Sequence, residues 1–258
     1  MSSAANYDLS ALVTKLSSIA TLSEAERQAV LKLQATTRAL DAHQDIVRDR
    51  DCPSECCLIL EGWAYRYKLL DEGSRQILSL HVPGDVPDLQ SLHLRVMDHS
   101  LATLSPCRLA FIPHEGLRAL TRDHPGVAAL LWRDTLVDAA IFREWIINLG
   151  QRSSPARIAH LFCEMYVKLH AVGLAQDHAY DFPLKQGDLA DALGITNVHV
   201  NRVLKDVRKR GLITLQGRRL VIHDWPALVA MAGFDPSYLH LDKPAPTSRT
   251  PEGAKDPF

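Results

Sequence analysis

Residues 186–205 read QGDLADALGITNVHVNRVLK. Their apolar positions, Leu189, Ala190, Leu193 and Ile195, then Val200, Val203 and Leu204, fit two short helices broken at Gly194 better than one long helix. Ala190 is small where two helices must pass closely, and Gly194 can take the positive φ that a tight turn demands. Thr196 stands where an N-cap is needed, its hydroxyl free to accept an orphan backbone N–H. The spacing predicts a second helix over residues 197–210. Steps of 100° put Val200, Val203, Leu204 and Val207 on its packed side, and Val198, Asn201, Arg202, Lys205 and Lys209 on the other, with Asn197 at the open N-terminal end. This is the pattern of a helix-turn-helix.

The outward set has the chemistry of a DNA reader. An arginine fork at Arg202 matches guanine O6 and N7, an amide at Asn197 or Asn201 matches adenine N6 and N7, and Val198 suits a thymine methyl. Thr196 and His199 complete the residues expected at the DNA. Lys205, Arg208 and Lys209 lie further along, where phosphate contacts are expected. An ordinary helical hairpin with a solvated basic face would show much of the same pattern. Against that stands the segment 212–222, LITLQGRRLVI, in which two apolar runs flank Gln216-Gly217 and predict a β-hairpin with Arg218 and Arg219 at its tip. A helix-turn-helix followed at once by a hairpin is a winged helix-turn-helix, its wing arginines placed for the flanking backbone. Between Lys185 and Arg219 there are eight Lys or Arg against three Asp, whereas the whole chain has a formal net charge of -1. Positive charge is concentrated where a polyanion would bind.

The remaining composition is unremarkable for a globular protein: 258 residues, 47% hydrophobic and 23% charged, enough for two domains. No basic segment followed by an apolar run opens the sequence, and no uncharged stretch approaches membrane-spanning length, so a cytoplasmic protein with no membrane partner is expected. Five cysteines make no disulfide framework. Cys52, Cys56 and Cys57 are close together, but CPSECC is not a zinc or cluster spacing, and small buried hydrophobes explain them better than a redox site. No metal site is expected. There is no phosphate-cradling glycine loop, no HExxH and no GxSxG, so no catalytic residue is assigned and no enzyme is expected.

Upstream, residues 9–40 are helical in pattern, with Thr21 or Ser23 placed to cap a second helix. From 44 to 113 short apolar runs alternate with turn residues, which predicts a small antiparallel barrel or sandwich. Residues 125–149 then form one helix, with Pro125 in its first turn and Gly150 at its end, about 35 Å long at 1.5 Å per residue. It is apolar on almost every side and needs cover on several. A second copy is the economical partner, with Leu131, Val137, Ile141 and Trp145 at the expected dimer interface; the alternative is a central helix in one large core. A helix over 153–169, a polar connection over 171–180 and a short helix over 225–234 follow. The proline-rich tail 243–258 is expected to be disordered.

With these features in order, the chain from about residue 9 to 225 resembles the Crp/Fnr superfamily of transcription regulators: a glycine-turned barrel with Gly62 and the corner Pro83-Gly84-Asp85, a long linking helix, and a winged helix-turn-helix. The resemblance implies an α+β fold with an antiparallel, jelly-roll-like N-terminal β-barrel and flanking helices (1–122), a dimerisation helix (123–151), a winged helix-turn-helix (152–242) and the tail. It implies a homodimer on a near-palindromic DNA site, with RNA polymerase as a further partner and an unidentified effector at the barrel. Cyclic-nucleotide members carry a Gly-Glu pair after the corner and later an Arg-Ser or Arg-Thr pair for the phosphate. Asp88-Leu89 and His99-Ser100 stand there, and only Ser100 is kept. Without the arginine a buried phosphate goes unpaired, so tight cyclic AMP binding is not expected and no cofactor is assigned. Asp88, Gln90, His99 and Ser100 are the candidate effector residues. His81, His93 and His99 flank the corner without a ligand spacing. The cysteines of the oxygen-sensing members are missing, as none precedes Cys52. Val198 replaces a base-reading glutamate, so the family's operator is not inherited. A regulator with a purely structural barrel and, more remotely, a small-molecule barrel enzyme are the other readings.

Overall fold

A computed structural model describes residues 9–241; the expectation for the tail 243–258 lies outside them. Two helices open the fold, α1 (Ser10–Ile19) and α2 (Glu24–Leu31). Ser23 caps α2 in a reciprocal box: its Oγ accepts from Glu26 N, and its own N–H donates to Glu26 Oε2 at 2.8 Å. Seven strands follow: β1 (Thr36–Leu40), β2 (Asp45–Val47), β3 (Glu55–Glu61), β4 (Ala64–Leu69), β5 (Arg75–His81), β6 (Ser100–Thr103) and β7 (Cys107–Pro113). They form two antiparallel sheets, β1-β7-β3 and β2-β6-β4-β5. The α+β class holds, with the strands hydrogen-bonded as two sheets of a jelly-roll-like sandwich.

β3 shows why a continuous apolar run was needed. Successive side chains point to opposite faces, so Cys57 and Ile59 join Val47, Met97, Leu101, Leu109 and Phe111 between the sheets. Cys56, Leu58 and Leu60 face the other way, onto a core shared with α1 and the long helix. Four cysteines are buried and unbridged, as small hydrophobes; Cys52 departs from that expectation and is exposed. Gly62 turns the chain after β3 at φ 85°, where a Cβ would lie 2.3 Å from the Pro106 carbonyl oxygen.

Next come α3 (His114–Asp123), α4 (Pro125–Gly150) and α5 (Ser154–Ala171), then β8 (Ala179–Asp181), α6 (Gln186–Leu193), α7 (Asn197–Lys209), β9 (Ile213–Gln216), β10 (Arg219–Ile222) and α8 (Trp225–Ala232), closed by a 3-10 turn at Pro236–Leu239. Among the described residues no helix is long and apolar enough to cross a membrane.

α4 is covered by its own chain on most sides, and this corrects the expected dimer residues. Leu131 is buried in the core with α1 and β3. Val137, Ile141 and Trp145 are buried in a second core that runs from the outer face of β4 and β5 into α5 and the helix-turn-helix. Trp145 Nε1 also donates to the Glu164 carboxylate at 3.0 Å. The apolar face that α4 leaves open is a different one, with Trp132 (67% exposed), Leu136 (50%), Ile146 (70%) and Ile147.

Candidate nucleic-acid interface

α6 ends at Leu193 with Gly194 as its C-cap, in the left-handed region with φ 61°, and α7 starts three residues after that glycine. Thr196 Oγ1 accepts the His199 backbone N–H at 3.3 Å, the N-cap expected from its position. Val200, Val203, Leu204 and Val207 are buried against α5 and α6, so the register of α7 is the one its apolar spacing predicts. The opposite side is open: Asn197, Val198, Asn201, Arg202 and Lys205 are exposed and His199 is half-buried. Val198 is 80% exposed, an apolar side chain held in water. The Arg202 guanidinium lies over His199, its Nη2 3.3 and 3.4 Å from the two ring nitrogens.

The wing is the pair β9 and β10, turning through Gly217 at φ 59° and Arg218. A third strand was missed: β8 pairs with β10, with Tyr180 opposite Leu220, in a segment read from sequence as a polar connection. Arg218 and Arg219 are both exposed, and Arg219 Nη1 lies 3.4 Å from Asp181 on β8. A groove of about 880 Å³ separates the head from the barrel loops, with Lys185, Asn197, Arg208 and Arg218 on one bank and His43 and Ser105 on the other.

Two of the three acids in this region are turned away from the exposed face of α7. Arg75 of β5 donates from Nε to Asp191 at 2.7 Å and from Nη2 to Asp188 at 3.0 Å, while Gln76 Nε2 donates to the Asp191 carbonyl oxygen at 2.7 Å. Asp188 meanwhile accepts from Lys185 N at the start of α6. The barrel thereby neutralises the carboxylates of α6 and leaves the outward cations of α7 to set the local field.

The four effector candidates do not converge. Asp88 is buried with Oδ1 accepting from Cys57 N at 2.8 Å, and burial pushes its carboxyl up to about 7. It lines one groove, with Arg38, Glu55 and Phe111; Gln90 lines another cavity altogether. Gln90 Nε2 is 3.4 Å from His99, whose Nδ1 meets Asp98 at 2.7 Å, and Ser100 Oγ accepts from Asp49 N. His81 is bonded to Ser79 and held neutral, lowered to about 4 by burial and then by the Arg66 charge.

The side of the barrel facing α4 is filled by a residue the sequence reading passed over. Arg66 donates from Nε to the Pro87 carbonyl oxygen at 2.8 Å, pairs with Asp138 of α4 and lies 5.5 Å from the Phe142 ring. Beside it Lys15 pairs with Asp85 at 2.9 Å and reaches Asp134 at 3.7 Å, and Lys168 of α5 donates to the Leu80 carbonyl oxygen and lies 3.7 Å from Asp85. Burial alone would raise Asp85, but the Lys15 and Lys168 charges outweigh it and hold the carboxyl well below its usual range. Three cations face three carboxylates around a cavity of only about 40 Å³, room for a water or two.

Residues 37–124 match a cyclic nucleotide-binding domain family and residues 156–231 a Crp-like helix-turn-helix domain. The transcriptional activator protein FnrL of Cereibacter sphaeroides is 26% identical over 217 residues, spanning 82% of this chain and 86% of FnrL. An anaerobic regulatory protein of Haemophilus influenzae is 22% identical over 223 residues, 86% of either chain. Among solved structures, FixK2 from Bradyrhizobium japonicum superposes with a TM-score of 0.70 at 23% identity, covering 76% of this chain and 96% of that one.

Proposed function

The chain belongs to the Crp/Fnr superfamily of DNA-binding transcription regulators, and from that premise we propose that it acts as a cytoplasmic homodimer on a near-palindromic site. The observation that carries this is the open face of α7, with Asn197, Val198, Asn201 and Arg202 presented for base edges and Lys205 for phosphate. The wing residues Arg218 and Arg219 grip the flanking backbone. The second copy joins along the α4 face of Trp132, Leu136 and Ile146, apolar side chains spaced at helical intervals that nothing among the described residues covers. Two heads related by a two-fold axis then meet half-sites about one helical turn apart. In this division of labour residues 1–122 are the barrel, 123–151 the dimer helix and 152–242 the reading head. RNA polymerase is the expected partner of the bound dimer. Selection of bound fragments from random duplexes tests the proposal: it expects an inverted repeat bound by two chains, with affinity falling steeply as salt rises. A monomer without sequence preference would refute it.

One observation favours a barrel that works without a small-molecule effector. The space beside α4 is filled by Arg66 and by a charge-balanced set of ion pairs, leaving no uncompensated cation for a phosphate. On this reading cyclic nucleotides leave the melting temperature of the full chain unchanged, and its DNA affinity with them. A shift of several degrees would restore the sensing barrel.

A further inference from the structure

The position of Arg202 against His199 goes beyond their joint assignment to the DNA-binding face. Nη2 is nearly equidistant from Nδ1 and Nε2, at 3.3 and 3.4 Å. An atom so placed in the plane of the imidazole would collide with the Cε1 carbon between the two nitrogens. Nη2 therefore sits over the face of the ring with an N–H directed at it, not along the ring plane. A guanidinium held through one of its five N–H bonds keeps the other four for a further partner.

The backbone supports the ring from below. The His199 N–H is the one capped by Thr196 Oγ1, so the residue is fixed in the first turn of α7, half-buried, three positions before Arg202. Long side chains on a helix lean toward its N-terminus. This brings the Arg202 head back over His199, to the end of the helix that enters a groove. Among the described residues no ion pair engages Arg202, in contrast to Arg219 with Asp181 and Arg75 with Asp188 and Asp191.

We propose that His199 is a positioning residue for base recognition: a flat platform that holds the Arg202 fork in place before DNA arrives, so that its remaining N–H donors meet a guanine. This rests on the reading of α7 as the recognition helix. Ordering a long, mobile side chain opposes binding, and a side chain already ordered removes part of that opposition. The gain is confined to the base pair Arg202 reads. A histidine that touched phosphate instead would strengthen every sequence alike.

The experiment uses the full-length protein and the duplex it selects from a random pool, with each base pair of the half-site then changed in turn. Affinities are compared for Arg202→Ala, His199→Ala, His199→Phe and the double variant Arg202→Ala/His199→Ala, with melting temperatures as a folding control. Arg202→Ala identifies the base pair that arginine reads. His199→Ala is expected to relax preference at that same pair, about two- to fivefold per half-site, the scale of an exposed cation–ring contact. His199→Phe is expected to restore it, since phenylalanine keeps a flat face and lacks any hydrogen-bonding atom. In the Arg202→Ala background His199→Ala should do nothing more. The platform is overturned if His199→Ala weakens all duplexes equally, if its effect survives without Arg202, or if His199→Phe fails to rescue. If Arg202→Ala itself leaves the preference unchanged, the helix register falls, and the platform with it.

Discussion

At the scale of single residues, chemistry separates side chains that read from side chains that only hold. Arg202→Ala should cost roughly 1–3 kcal/mol on the selected site and relax one position, whereas Lys205→Ala should weaken all duplexes alike and reduce the salt slope by about one; competition binding at two salt concentrations distinguishes them. His160 makes a different case. It is buried between Phe234 and Tyr238, and among the described residues neither ring nitrogen has a hydrogen-bond partner; Nε2 is 3.4 Å from Glu144 but without bonding geometry. Burial, then the Arg152 charge, lowers it to about 3. The unfolded chain takes up that proton near pH 6.5, so unfolded molecules bind more protons between pH 6.5 and 3 and stability falls as pH falls through that window. His160→Phe removes the penalty: it should stabilise by about 1 kcal/mol at neutral pH, with a margin over the unaltered chain that widens on acidification, checked by denaturant melts at pH 7 and pH 5. The reading side of α7 was legible because four buried positions at helical spacing fix a register. The solitude of His160 was not, since nothing in a sequence says which polar groups will lack partners.

At the scale of elements, the two helices that matter most differ in how plainly they speak. α7 is amphipathic, and one face can only be the core face. α4 is apolar on nearly every side, so its sequence reports that cover is needed without saying which cover is intramolecular. Leu131, Val137, Ile141 and Trp145 turned out to be covered from within, and Trp132, Leu136 and Ile146 to be open. The two sets should respond oppositely. Leu131→Ala leaves a hole in a closed core and should cost about 2–5 kcal/mol of stability, with the mass in solution unchanged. Ile146→Lys alters an exposed side chain, so folding should be near normal while the dimer dissociates and specific DNA binding goes with it. Sedimentation and thermal melts on both variants check this. β8 was invisible for another reason: three residues, Ala179–Asp181, become a strand only because β10, much later in the chain, supplies the partners.

At the scale of the whole molecule, the reading head is not hung on a free hinge. One apolar core continues from Trp63, Tyr65 and Leu80 of the barrel through α4 to Leu189 and Val203 of the helix-turn-helix, and Arg75 ties β5 to α6 through Asp188 and Asp191. Contacts between residues more than a hundred positions apart have no local signature, which is why the sequence suggested separate domains and gave no sign of this union. Its consequence is geometric. If each head is fixed to its barrel, and the barrels are fixed to one another through α4, the distance and angle between the two α7 helices are set by the protein and not by the DNA. The dimer can then accept half-sites at one spacing only. Inserting five base pairs at the centre of the selected site turns one half-site to the opposite side of the duplex, about half a helical turn, and binding should drop to the non-specific level. Inserting ten restores the facing but adds about 34 Å of separation, which rigid heads cannot span, so binding should stay lost. Heads on flexible tethers would recover with ten, and a single-headed protein would ignore both insertions, so gel-shift titrations of the three duplexes distinguish all three arrangements.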